Sequence, residues 1–167
     1  MNKTEINGKD QSSENITQFF TFLLGAETYG IEVNSVREVI EFKTVFKIPR
    51  IPKYIRGVIN LRGEIVPVID LSSRFYEDKQ IDIKKTTCIV IIEIQDKTDG
   101  AFVHIGVAVD AIRAVTDIPD SLMEPPPSFG SNIRSDFIKG VGKVNDLFIF
   151  ILNTDKVLDI EELADFT

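Results

Sequence analysis

A single cysteine and a single histidine are present among 167 residues, and each scarcity removes a class of chemistry. A lone thiol closes no intramolecular disulfide, and Cys88, inside the apolar run CIVII, reads as a small buried hydrophobe rather than a reactive thiolate. One Cys with one His falls short of the three or four ligands that a zinc site takes. His104 sits inside the strand-like run AFVHIGVAV and reads as a packed or edge residue. No GK[ST] phosphate loop is present, and Gly140-Val141-Gly142 lacks the third glycine and opening helix of a dinucleotide fingerprint. Carboxylates are plentiful, but nothing sets one pair apart for acid–base work. The inventory reads as a non-enzyme with no cofactor and no metal.

Basic charge is also scarce. With 26 acidic and 19 basic residues the net charge is −7, which argues against a nucleic-acid partner. No apolar run approaches the length of a membrane span; Leu147–Leu152 is strand-sized. The N-terminus, MNKTEINGKDQSSENIT, lacks the apolar core of a signal peptide, and residues 1–16 read as a disordered polar tail. A cytoplasmic protein, without membrane insertion, is the expectation. The length suits one domain, expected over 17–158, with 159–167 completing a C-terminal helix. The apolar stripe Val157, Leu158, Ile160, Leu163 in DKVLDIEELADF predicts that helix.

What the chain does have is repetition. Tyr54–Leu71, YIRGVINLRGEIVPVIDL, aligns without a gap on Phe137–Thr154, FIKGVGKVNDLFIFILNT. Upstream, Gly30–Phe42, GIEVNSVREVIEF, aligns without a gap on Gly106–Ile118, GVAVDAIRAVTDI. Two such blocks in one order mark an internal duplication.

Each copy begins with a hairpin: FFTFLL and Tyr29–Val33 in the first, Thr87–Gln95 and Phe102–Val109 in the second. A short helical turn is expected next, with Asn34 or Asp110 as N-cap before SVREVIE or AIRAVTD. A proline-marked stretch follows, IPRIP or MEPPP, and a second hairpin closes the unit. Many short strands and few helices predict an all-β chain of two small, roughly five-stranded barrels around a pseudo-two-fold axis.

Residues shared by the copies, such as Gly30/Gly106, Gly57/Gly140 and Arg37/Arg113, are assigned to the fold. Differences are the better candidates for function. Arg62 on the first hairpin tip faces Asn145, and Glu38 faces Ala114. Arg62 reads either as a solubility residue or as an interface residue, since its five-donor fork suits interfaces. Glu64 reads as an ordinary solvated residue beside the turn. Val33, Val36, Ile40 and Phe42 are either core between the barrels or the lining of a groove for a partner helix.

RGVINLRGEIVPVIDL, with YGIEVNSVREVIE before it and IGVAVDAIRAV and FIKGVGKV after it, closely resembles the CheW family of bacterial chemotaxis coupling proteins, from about Gln18 to Leu158. The resemblance implies two five-stranded SH3-like barrels around a shared core. It further implies a non-enzymatic scaffold joining methyl-accepting chemoreceptors to the histidine kinase CheA, whose regulatory domain has the same double-barrel fold. By matching position, Arg62 resembles the family arginine needed for receptor coupling, and Phe20, Val33, Val36 and Val109 line up with the receptor-binding groove. Glu38, Ile40 and Phe42 fall where the family contacts the kinase. The location implied is cytoplasmic, at membrane-bound receptor arrays. A coupling protein of a parallel system, such as surface motility, and an adaptor half of a response-regulator protein remain as alternatives. A β-barrel hydrolase or ligand-binding domain is the alternative from another class. The polar N-terminal tail and Pro125-Pro126-Pro127 depart from the family pattern, and no role is attached to them.

Overall fold

A computed structural model describes residues 14–76, 79–126 and 135–159. Among the described residues, eleven strands, two short α-helices and three 3-10 turns make up the named elements. The first copy contributes β1 (Ile16–Leu24), β2 (Glu27–Glu32), β3 (Val36–Glu41), β4 (Ile55–Leu61) and β5 (Glu64–Asp70), followed by α1 (Leu71–Phe75). The second contributes β6 (Cys88–Gln95), β7 (Phe102–Val109), β8 (Ala111–Pro119), the two-residue β9 (Met123–Glu124), β10 (Ile138–Val144) and β11 (Leu147–Leu152), then α2 (Thr154–Val157).

The strands form two sheets, ordered β8-β1-β2-β11-β10-β9 and β3-β6-β7-β5-β4. The equivalence is strand for strand: β3, β6, β7, β5, β4 correspond to β8, β1, β2, β11, β10. Register agrees as well. The parallel pairing of Ile151 with Gly30 is matched by Val68 with Gly106, and the irregularity at Ile138/Gly140 by that at Ile55/Gly57. These are the positions that the two sequence blocks superimpose.

The sheets are not assembled copy by copy. The β1–β2 hairpin of the first copy pairs with β8 and β11 of the second, and β6–β7 of the second pairs with β3 and β5 of the first. Each barrel is therefore built from both repeats, with the leading hairpins exchanged. Neither sheet closes into a complete barrel, and the first has a sixth strand through β9.

The expected helical turns after each leading hairpin are a correction. Asn34 lies inside a single 3-10 turn, Val33–Ser35, and VREVIE is strand β3; AIRAVTD lies within strand β8. Val36, Val39 and Ile40 carry a helical spacing, but the β-branched side chains pair across to β6, with Val39 opposite Val90 and Ile40 opposite Ile89. Asp110 caps no helix; its carboxylate accepts from the Gly25 backbone N–H at 2.6 Å. The tail expected over 1–16 lies outside the described residues up to Ser13, and Ile16 already belongs to β1. Of the C-terminal helix, α2 is described and residues from Ile160 onward are not; Pro127 also lies outside.

One continuous apolar core joins the sheets, running from Phe22, Tyr29 and Ile31 through Ile59, Val68 and Leu71 to Ile91, Val107 and Phe137. Tyr29 stands where the barrels meet, its ring centroid 5.3 Å from Phe75 and 5.8 Å from Phe150. Burial and the neighbouring Tyr76 push its phenol well above the usual tyrosine range. Arg74 fastens the same junction. Its guanidinium lies 4.4 Å over Tyr54 and 4.9 Å over Phe137, which are equivalent residues of the two copies. It also donates to the Val157 carbonyl at 3.0 Å and the Lys156 carbonyl at 3.3 Å.

Gly57 shows why the duplicated glycines are there. Its φ is +145°, and an added Cβ would run into the Phe46 carbonyl, 2.8 Å from its carbon. That close approach allows Phe46 to bridge to Val58, the first-copy counterpart of the β9–β10 pairing.

Candidate partner-docking site

Both hairpin tips turn through two left-handed residues, the geometry that matches strand twist in a two-residue loop. In the second copy these are Asn145 (φ 50°) and Asp146 (φ 65°), residues that tolerate it. In the first they are Arg62 (φ 51°) and Gly63 (φ 89°). Asn60 steadies this tip by accepting from the Gly63 N–H at 2.8 Å. An arginine is held in a conformation that its side chain disfavours, and the fork it presents is engaged.

Arg62 forms a bidentate ion pair with Glu38: Nη1 donates to Oε1 at 3.3 Å, and Nη2 donates to Oε2. Glu38 lies on β3 and Arg62 on the β4–β5 turn, so the pair spans the open seam between the two edge strands of the five-stranded sheet. Lys43 Nζ crosses the same seam to the Asn60 carbonyl at 3.1 Å. The guanidinium holds the Glu38 carboxyl below the usual glutamate range, and the carboxylate raises Arg62 in return. Arg62 keeps 70% of its side chain exposed against 32% for Glu38, so the pair presents a cation outward.

The surrounding charges were not legible in the sequence. Arg37 Nε stands 3.3 Å from Glu93 Oε1, and His104 Nδ1 lies 2.8 Å from Glu64 Oε1. His104 and Glu93 are cross-strand partners on β7 and β6. Glu64 is thus bonded rather than merely solvated, and Arg37, assigned to the fold, belongs to the charged rim. His104 is half-buried. Alternation along each strand foretold exposed residues, but only the order β3-β6-β7-β5 brings them into one row.

The apolar candidates divide by exposure. Val36, Ile40 and Phe42 are half-buried, packed against the core with one side open, and Phe42 lies 5.7 Å under the Arg56 guanidinium. Val33 is half-buried in the 3-10 turn where the chain crosses between sheets. Val109, its second-copy equivalent, is fully buried at the other crossing, and Phe20 is nearly so. Those two support the surface from beneath and present none of it themselves.

Among the described residues no three His, Cys, Asp or Glu side chains converge on a metal position. Burial pushes the Cys88 thiol up, away from a thiolate. No helix of the described residues is long and apolar enough to cross a membrane. What the rim offers is a set of contacts: a charged clasp, a row of carboxylates and four half-buried apolar side chains.

Known proteins share this whole frame. A family model described as a CheW-like domain matches residues 18–162. The chemotaxis protein CheW of Treponema pallidum (strain Nichols) is 31% identical, over 87% of this chain and 84% of that protein. Protein FrzA of Myxococcus xanthus is also 31% identical, over 84% of each. Among solved structures, the scaffolding protein TtCheW from Thermoanaerobacter tengcongensis superimposes with a TM-score of 0.75 at 34% identity, covering 89% of this chain and 91% of that one. With most of its length matched in sequence and in fold, this chain belongs to the CheW family.

Proposed function

We propose that the protein is a non-enzymatic adaptor that couples methyl-accepting chemoreceptors to the histidine kinase CheA. The observation that carries this reading is the family match over 18–162, which takes in Glu38 and Arg62. In this reading Glu38, Ile40 and Phe42 contact the regulatory domain of the kinase. Arg62, Val33 and Val36 face the helical receptor tip, with Phe20 and Val109 supporting them from below. The protein works in the cytoplasm and is held at receptor arrays through these partners, without inserting into the membrane.

The chemistry suits that task. Half-buried apolar residues beside a charged rim favour weak, exchangeable binding, on the order of micromolar or about −8 kcal/mol. Linked sites in an array add avidity through effective concentration. Receptor state then needs only to bias the kinase complex by a coupling of about 1–3 kcal/mol.

A second reading, a coupling protein of a parallel chemosensory system, is kept by the equal identity to Protein FrzA and to the Treponema protein. Neighbouring genes distinguish the two. The direct test is co-sedimentation of the full chain with a CheA-type kinase and a receptor cytoplasmic fragment. The wild-type protein is expected in the pellet with both and to raise receptor-dependent kinase activity. Binding to neither partner would overturn the adaptor reading.

A further inference from the structure

The scaffold is duplicated but its charge is not. From Phe42 to Gly63 the chain carries six cations, Lys43, Lys47, Arg50, Lys53, Arg56 and Arg62, and no carboxylate, within a protein of net charge −7. The corresponding stretch of the second copy, 118–146, holds Asp120, Glu124, Asp136 and Asp146 against Arg134, Lys139 and Lys143. The fold therefore does not require the first connection to be basic.

The cations are gathered around a cleft. Lys47, Lys53 and Arg56, with the Gln80 carboxamide, rim an opening of about 270 Å³ whose floor includes Ile51 and Ile55. Among the described residues neither lysine makes an ion pair, and both are exposed. Arg56 is only partly matched. Its Nη1 lies 3.4 Å from Asp70 Oδ2, a carboxylate that already accepts from the backbone N–H groups of Ser73 and Ile81. Its Nε is sealed from solvent without a hydrogen-bond partner. Glu77 and Asp78, the acids nearest Gln80 in sequence, lie outside the described residues.

We infer that this cleft is a binding site for a phosphate-class anion. Three cations exceed what one carboxylate neutralises, whereas a phosphate group carries about −1.5 to −2 at neutral pH and offers three acceptor oxygens. A guanidinium and two exposed ammonium groups are the kinds of donor that such oxygens take. The apolar floor accommodates the group that bears the phosphate. That bearer is either a small soluble phosphate compound or the headgroup of an anionic lipid. The site is separate from the Arg62–Glu38 clasp and independent of the adaptor reading.

The test is a ¹H–¹⁵N titration of the full chain with inorganic phosphate and with pyrophosphate, against sodium chloride at equal ionic strength. Saturable shifts are expected at amides of residues 47–56 and at Gln80. Lys47→Gln with Lys53→Gln should weaken that binding at least tenfold, while Lys139→Gln on the second copy leaves it unchanged. Shifts that follow ionic strength alike in chloride, or saturation indifferent to the Lys47→Gln/Lys53→Gln pair, would overturn the site. Sedimentation with phosphatidylglycerol vesicles but not phosphatidylcholine vesicles, lost in the double variant, assigns the headgroup; phosphate binding without sedimentation assigns a soluble compound.

Discussion

Arg62 and Glu38, 24 residues apart, form one bidentate ion pair across the open seam of the five-stranded sheet. Residues that the family resemblance allots to two different partners are thus a single unit at rest. Under the proposed function, a partner that captures one of them frees the other, which would let receptor and kinase influence each other on this surface.

Coupling of this kind is measurable as non-additivity. Arg62→Asn is the appropriate probe, because asparagine already occupies the equivalent turn position, Asn145, with φ 50°. Asparagine also tolerates the left-handed backbone, so the tip keeps its turn while the fork is lost. In a reconstituted kinase assay, Glu38→Ala is expected to lower kinase binding about tenfold and Arg62→Asn to lower receptor-dependent activation by a similar factor. The double variant should be no worse than the poorer single one. Losses that multiply would mean that the two residues act separately.

The pair also sets a pH dependence. The Arg62 hydrogen bond lowers the Glu38 carboxyl in the folded state. A carboxyl depressed on folding contributes stability above its unfolded value and loses it as pH falls through the lower, folded value. The clasp is therefore closed throughout the neutral range and opens only below the ordinary glutamate range. In Arg62→Asn, the Glu38 side-chain carbon resonance should titrate at higher pH than in the wild type. An unmoved midpoint would show that the pair does not persist in solution.

Gly57 and Gly140 are equivalent in sequence but not in cost. An added Cβ at Gly57 meets the Phe46 backbone at a φ of +145°, whereas at Gly140 the nearest atom is the flexible end of Met123, at 2.8 Å, with the Glu124 carbonyl oxygen at a tight 3.1 Å. Gly57→Ala is expected to destabilise by about 3 kcal/mol through backbone strain and overpacking. Gly140→Ala should cost about 1 kcal/mol, since a methionine terminus can move aside. Urea unfolding of both variants checks the order.

Arg74 fixes the junction of the two barrels from a half-buried position. Arg74→Leu removes two cation–π contacts and the donors to α2, and is expected to cost about 2–3 kcal/mol. Arg74→Lys keeps the charge but not the planar fork and should cost about half as much. Thermal unfolding measures both, and a silent Arg74→Leu would remove this residue from the account of how the barrels are held.

Much of the fold was legible because duplication leaves two readings of each element. The superimposed Gly57/Gly140 and Gly30/Gly106 mark places where the register repeats. The partner of each hairpin was not legible, because alternation announces a strand and says nothing of what it pairs with. VREVIE was misread for a related reason: Asn34 suits an N-cap, and only the β6 neighbour decides for a strand. Arg62 and Glu38 stood out by their asymmetry between copies. That Glu38 and Arg62 meet, and that Glu64 and His104 bond beside them, depends on which strands form the seam, and this is a property of the assembled sheet.

The exchange of leading hairpins has a consequence for the lineage of the chain. A single repeat, expressed alone, has its β1–β2 or β6–β7 hairpin with no sheet of its own to enter, and two repeats supply each other's missing strands. The molecule has the construction of a swapped homodimer fused into one polypeptide. The two halves keep one symmetry of fold while differing in charge, and the first carries the basic segment and the clasp.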